Sequence, residues 1–210
     1  FRIDRKKKLP ITSILFALGL SKNQIIETFY TQEIFTFDKT SNLWSTKFDP
    51  QNYKRPIKLS HDLIDSKTKK KVLSKGDKLN FIIATKLKEK NISNVLISKE
   101  EIIGKYSAID LVKKDGQEII KAGFDITEET MLNIVAEDIH TLKLVNIDPI
   151  NKGPYLLETL KIEKNSNKTE ALSDIYRVLR PGEAPSVDIA EDVFKNLYFN
   201  KDRYDLSEVG

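Results

Sequence analysis

Of the 210 residues, the ones whose type and spacing best suit chemistry are basic. Arg177 and Arg180 stand near the end of the stretch Thr169-Glu-Ala-Leu-Ser-Asp-Ile-Tyr-Arg-Val-Leu-Arg-Pro-Gly-Glu-Ala-Pro185, and Arg5-Lys-Lys-Lys8 forms a run close to the start. Arginine presents a planar fork of donors that fits phosphate oxygens or a base edge, and lysine a mobile point charge. The chemistry open to them is therefore the binding of a polyanion, with Arg5, Lys6, Lys8, Arg177 and Arg180 as candidate contacts. Two ordinary roles compete. Arg180 can offset the negative end of a helix, worth about 0.3 to 1 kcal/mol, and a lysine run can simply be a solvated face. The cluster Lys67 to Lys71 is a weaker candidate of the same kind.

Other chemistry has less to stand on. His61 and His140 are far apart and lack carboxylates at metal-ligand spacing, so both read as surface residues. Glu100-Glu101 and Glu128-Glu129 are neighbours in sequence, and adjacent residues do not face one another as an acid and base pair must. No nucleophile motif, dinucleotide fingerprint or phosphate-loop lysine occurs. The chain has no cysteine, which rules out disulfides and thiolate metal sites and suits a cytoplasmic protein. It has no apolar run near the roughly 18 to 20 residues of a membrane span. The net charge of +4 and pI near 9.0 admit two accounts: a polyanionic partner, or a lysine-rich composition inherited from an AT-rich genome. The start at Phe1, without a methionine, and the end within a charged segment read as a piece of something longer.

The elements that must carry the basic residues follow from periodicity. Leu172, Ile175, Tyr176 and Leu179 fall at i, i+3, i+4 and i+7, a helical stripe that Pro181-Gly182 terminates. At about 100° per residue Arg177 lies opposite the stripe and Arg180 at its edge. Pro10 opens a first helix with Ile11, Ile14, Leu15 and Leu18 as its apolar face, and Gly19 ends it. Ser21 to Gln24 reads as a capping box for a second helix with Ile25, Ile26, Phe29 and Tyr30 inward. Ile34 to Phe37 and Leu43 to Phe48 alternate as a β-hairpin. Tyr155 to Ile162 reads as a strand, and Ser186 as the N-cap of a final helix whose face holds Val187, Ala190, Val193, Phe194 and Leu197.

Between these ends the sequence repeats. Val72-Leu-Ser-Lys-Gly76 followed by Leu79, Leu87, Ile92, Val95 and Ile97 maps without a gap onto Ile119-Ile-Lys-Ala-Gly123 followed by Ile126, Ile134, Ile139, Leu142 and Leu144. Each copy, 72–97 and 119–144, reads as strand, glycine turn, short helix and strand, with Thr127 opening the second helix. Gly76 and Gly123 should sit at positive φ. The fold class is α+β, a helical domain interrupted by a β-rich inserted module that contains the two repeats.

Four landmarks carry a family resemblance: Phe1-Arg-Ile-Asp-Arg-Lys-Lys-Lys-Leu-Pro10, Gly153-Pro-Tyr155, Ile175-Tyr-Arg-Val-Leu-Arg-Pro-Gly-Glu183 and Arg203-Tyr-Asp-Leu-Ser-Glu-Val-Gly210. In this order they resemble bacterial RNA polymerase β subunits. The resemblance implies the lobe, or β2, domain at 1–30 and 151–210, interrupted by a lineage-specific insertion at 31–150. It further implies a non-catalytic wall of the DNA cleft within a DNA-directed RNA polymerase, with Arg177 and Arg180 near the non-template strand. The implied partners are DNA, the β′, α and ω subunits and sigma factor, with regulators docking on 31–150. No cofactor is implied in this segment; the magnesium of the intact enzyme would be held by another subunit. Lys6 and Lys7 stand where arginine is common in that family, which removes the planar fork there. The alternative is a free-standing nucleic-acid-binding or adaptor protein.

Overall fold

The computed structural model describes residues 1–4, 7–147, 153–184 and 186–202. In chain order, strands β1 (Arg2–Asp4) and β2 (Lys7–Lys8) precede helices α1 (Ile11–Ala17) and α2 (Lys22–Phe29). Then come β3 (Gln32–Asp38), β4 (Leu43–Lys47), β5 (Ile57–Lys58), β6 (Leu63–Asp65), β7 (Lys71–Leu73) and β8 (Lys78–Leu79). They are followed by α3 (Phe81–Glu89), β9 (Asn94–Ile97), α4 (Lys99–Ile102), β10 (Leu111–Val112), β11 (Glu118–Ile120), α5 (Glu128–Ala136) and β12 (Thr141–Val145). Three helices end the described chain: α6 (Tyr155–Ile162), α7 (Lys168–Leu179) and α8 (Val187–Tyr198). The residues divide into two compact units, one formed by Phe1–Phe29 with Pro149–Gly210, the other by Tyr30–Asp148.

In the first unit α1 packs on α6 and α7, and α7 on α8. Helix α7 buries Ala171, Leu172, Ile175 and Tyr176, the stripe expected from its spacing, with Leu179 only half-buried. Helix α1 does the opposite of what its pattern predicts. Thr12, Ser13, Phe16 and Ala17 are buried, while Ile11 and Leu18 are exposed. The reason is a carboxylate: Glu163 Oε2 accepts from Thr12 Oγ1 at 2.5 Å and from Ser13 Oγ at 2.8 Å, so the hydroxyl face must turn inward. The expected strand at Tyr155 to Ile162 is helix α6. Leu157 and Leu160, three residues apart, are its buried pair, and Pro154 sits at its start, where a missing N–H does no harm. In α2 the capping box forms, with Gln24 N to Ser21 Oγ at 3.3 Å and Ser21 N to Gln24 Oε1 at 2.8 Å, but Phe29 is exposed. Ser186 occupies the N-cap of α8 without a side-chain cap hydrogen bond.

The second unit is built on an antiparallel six-stranded sheet of order β12-β3-β4-β9-β6-β7. Opposed residues share a face, so the pairs Phe35 with Thr46 and Thr46 with Val95 place two cores on one side of the sheet. Around Phe35 and Trp44 gather Met131 and Ile134 of α5; around Phe48 and Val95 gather Ala84 and Leu87 of α3. The local geometry recurs. Gly76 and Gly123 have φ of 92° and 83°. Asn80 caps α3 through Ile83 N as Thr127 caps α5 through Thr130 N. The hairpins pair alike, Leu63 with Leu73 and Ile64 with Lys71, Leu111 with Ile120 and Val112 with Glu118. Asp62 accepts from Lys75 N, and Asp110 from Ala122 N, each at 2.7 Å. The two differ in setting, since β6 and β7 join the large sheet whereas β10 and β11 form a separate pair.

Glu163 gives the first unit a pH signature. Burial alone would raise its pKa, but hydrogen bonds from Thr12, Asn165, Ser13 and Lys164 outweigh that and hold it below the usual carboxylate range. The unfolded chain then takes up this proton more readily, so the contribution is present above the ordinary value of about 4.3 and is lost as pH falls through the lower folded value. Glu163→Ala should destabilise the protein at pH 7 by about 1 to 3 kcal/mol for each stranded hydroxyl. In thermal unfolding the gap from the unaltered protein should narrow toward pH 3; a gap independent of pH would contradict this role.

Candidate nucleic-acid interface

The end of α7 brings the two basic segments together. Lys7, in β2, donates its ammonium to the carbonyl of Val178 at 2.5 Å, one of the last carbonyls of α7. Such carbonyls have no partner within the helix and carry its negative end, so a cation there is favoured. Lys7 is thereby occupied, and its neighbour Lys8 is exposed on the same short ribbon. Residue type and spacing leave Lys7 one of a run; only its tertiary partner distinguishes it. Arg5 and Lys6 lie outside the described residues, as does the Arg203 to Gly210 landmark.

Arg177 and Arg180 both reach solvent. Arg177 Nη1 lies 3.0 Å from Asp174 Oδ1 with its side chain 62% exposed, an i, i+3 pair on the helix surface. Arg180 is the C-cap residue, and its N–H bonds the carbonyl of Tyr176 at 2.8 Å. Its side chain is 58% exposed, with Nη1 3.8 Å from Glu183 Oε1, a pairing loose enough for another anion to replace. Beyond it the chain turns at Gly182, whose φ of 94° favours glycine.

A second contact fixes that turn. Tyr176 Oη donates to Glu183 Oε2 at 2.6 Å, spanning the turn from the buried stripe of α7. Tyr176 is buried, so the latch is anchored in the core. The hydrogen bond to Glu183, with burial second, holds the phenol above its ordinary pKa. Nothing in residue spacing marks Tyr176 as more than core; its hydroxyl had to be placed against Glu183 to be noticed. On the adjoining helix pair, Glu191 accepts from Lys168 at 2.9 Å and pairs with Lys195 at 3.1 Å, tying α7 to α8.

The histidines lie in the second unit. His61 has Ser60 Oγ at 3.1 Å and Glu101 Oε1 at 3.5 Å, and His140 stacks on Phe37 with Asp138 at 3.1 Å. Glu101 belongs to the capping box of α4, and Glu128 and Glu129 to the first turn of α5. Among the described residues no group of three or more His, Asp or Glu side chains converges as a metal ion requires, so no chemistry is derived through one. No helix among them is long and apolar enough to cross a membrane.

No family model matches the chain. Over its whole length, however, it is similar to proteins named DNA-directed RNA polymerase subunit beta. It is 37% identical over 221 residues to that of Jannaschia sp. (strain CCS1), 38% over 210 to that of Caulobacter vibrioides (strain NA1000 / CB15N), and 41% over 213 to that of Rickettsia massiliae. The chain spans 15 to 16% of the length of these relatives.

If the latch is as described, Glu183→Gln should bring the Tyr176 titration down toward the ordinary tyrosine value of about 10. Carbon NMR of the tyrosine ring across pH 8 to 12 measures it, and an unmoved titration would contradict the hydrogen bond.

Proposed function

The chain belongs to the family of bacterial DNA-directed RNA polymerase β subunits, and from that premise we propose that its first unit is a non-catalytic, DNA-facing wall of such a polymerase. The observation that carries this reading is the contact of Lys7 with the end of α7, the helix end that also presents Arg177 and Arg180 to solvent. Phosphates bind such a surface through diffuse charge, and an arginine can add a bidentate contact. In this reading Lys8, Arg177 and Arg180, together with Arg5 and Lys6, approach promoter and downstream DNA, while Lys7 holds the ribbon against α7. The first unit corresponds to the lobe.

The activity proposed for the assembled enzyme is template-directed nucleotidyl transfer in the cytoplasm, with β′, α and ω subunits and sigma factor as partners. The segment supports it by shaping the path of DNA; the magnesium such an enzyme uses would be held by another subunit. The second unit corresponds to an insertion. We infer that it arose by duplication, a reading supported by its matched hairpins, aspartate contacts and capped helices. The exposed Leu132 and Val135, three residues apart on α5, support a role in docking a regulator. A free-standing adaptor is less well supported, because the similarity to β subunits runs through both units.

In a polymerase carrying this segment, Arg180→Glu should shorten the lifetime of promoter complexes and leave subunit assembly intact. Loss of one phosphate contact lowers the slope of log affinity against log salt by about 0.9. Promoter-complex lifetimes measured at several salt concentrations test this, and unaltered values would sink it.

A further inference from the structure

Beside Arg180 the surface is not filled. Leu179 at the end of α7 and Val193, Asn196 and Leu197 of α8 surround a notch of about 310 Å³ with Arg180 at its mouth. Val193, Asn196 and Leu197 fall at i, i+3 and i+4 and so share one helix face. The three apolar side chains are only half-buried, although Tyr176, Ala190 and Phe194 nearby are fully packed. Asn196 completes the lining. Its Oδ1 accepts from Asn200 at 2.9 Å, and its Nδ2 has no hydrogen-bond partner among the described residues.

We propose that this notch receives a single unstacked nucleobase of single-stranded DNA, an inference that rests on the DNA-facing reading of the first unit. A nucleotide joins an anion, two apolar faces and a polar edge, and the notch offers a counterpart to each. Arg180 meets the phosphate, Leu179, Val193 and Leu197 cover a face of the base, and Asn196 Nδ2 donates to an acceptor on its edge. An aliphatic side chain of a protein partner would fill the same volume but cover Asn196 Nδ2 without accepting from it and leave Arg180 only its loose pairing with Glu183, which is the less favourable arrangement. A base within a duplex is held in its stack and cannot enter, so the notch selects single strands. The Tyr176 to Glu183 latch holds the Arg180 turn ready beside it.

The test is methyl NMR on the 210-residue chain labelled at leucine and valine, at low salt. Three probes are titrated: a five-nucleotide single strand, a strand of equal length with every base replaced by a spacer, and a short duplex. The methyl signals of Leu179, Val193 and Leu197 should shift with the base-containing strand, which should bind about fivefold or more tightly than the spacer strand. Asn196→Ala should narrow that difference and leave spacer binding unchanged, with undisturbed methyl signals elsewhere confirming the fold. Equal binding of base-containing and spacer strands overturns the notch while leaving phosphate binding by Arg180 in place. No shift with any strand overturns both the notch and the DNA-facing reading. Equal response to the duplex overturns the claim of an unstacked base.

Discussion

A single carboxylate joins the two halves of the first unit. Glu163 accepts hydrogen bonds from the hydroxyls of Thr12 and Ser13 across 151 and 150 residues of chain, and both residues are fully buried. A buried hydroxyl without a partner is costly, so these contacts fix which face of α1 turns inward and how α6 meets it. The placement of α7 on α1 and of the β1 and β2 ribbon on the end of α7 follows from the same packing. A unit assembled from distant segments gains such contacts only after closing a long loop, so they must be specific enough to select one docking.

The basic surface depends on that assembly. Lys7-Lys8 and Arg177 to Arg180 are remote in sequence, and one amine ties the two segments together: Lys7 on the Val178 carbonyl. The arrangement divides labour among like residues. Lys7 is used to hold structure, whereas Lys8, Arg177 and Arg180 remain turned to solvent. Tyr176 and Glu183 add rigidity where the chain would otherwise turn freely at Gly182. A preformed surface of this kind would lose little conformational freedom on binding an anion, which is what the proposed DNA-facing role asks of a modest number of charges.

Much of the fold was legible because local rules agree with it. The stripe of α7, the Ser21 capping box, the Thr127 cap and the positive φ of Gly76 and Gly123 are decided within a few residues. What failed was decided at long range. Ile11 and Leu18 look like the inner face of α1 until Glu163 is seen to claim Thr12 and Ser13. Tyr155 to Ile162 has enough apolar residues for a strand, and only the burial of Leu157 and Leu160 settles its period. The matched hairpins extend upstream of residue 72, but the first has one more residue in its loop than the second. That offset hides Asp62 and Asp110 from a gap-free comparison, although they make the same bond. Of the candidate site, the arginines could be read from type and spacing; the latch and the notch could not, since each depends on residues from both sides of a turn.

A tethered cleavage reagent tests the proposal that the end of α7 faces DNA. Ala184→Cys, exposed just beyond the latch, gives this cysteine-free segment one site for a tethered iron chelate that cuts nearby nucleic acid. In an assembled polymerase on promoter DNA, the account predicts strand scission from this position and none at the same bases from a polymerase treated identically but lacking the introduced cysteine. Absence of scission from position 184, in complexes shown to be formed and active, would contradict it.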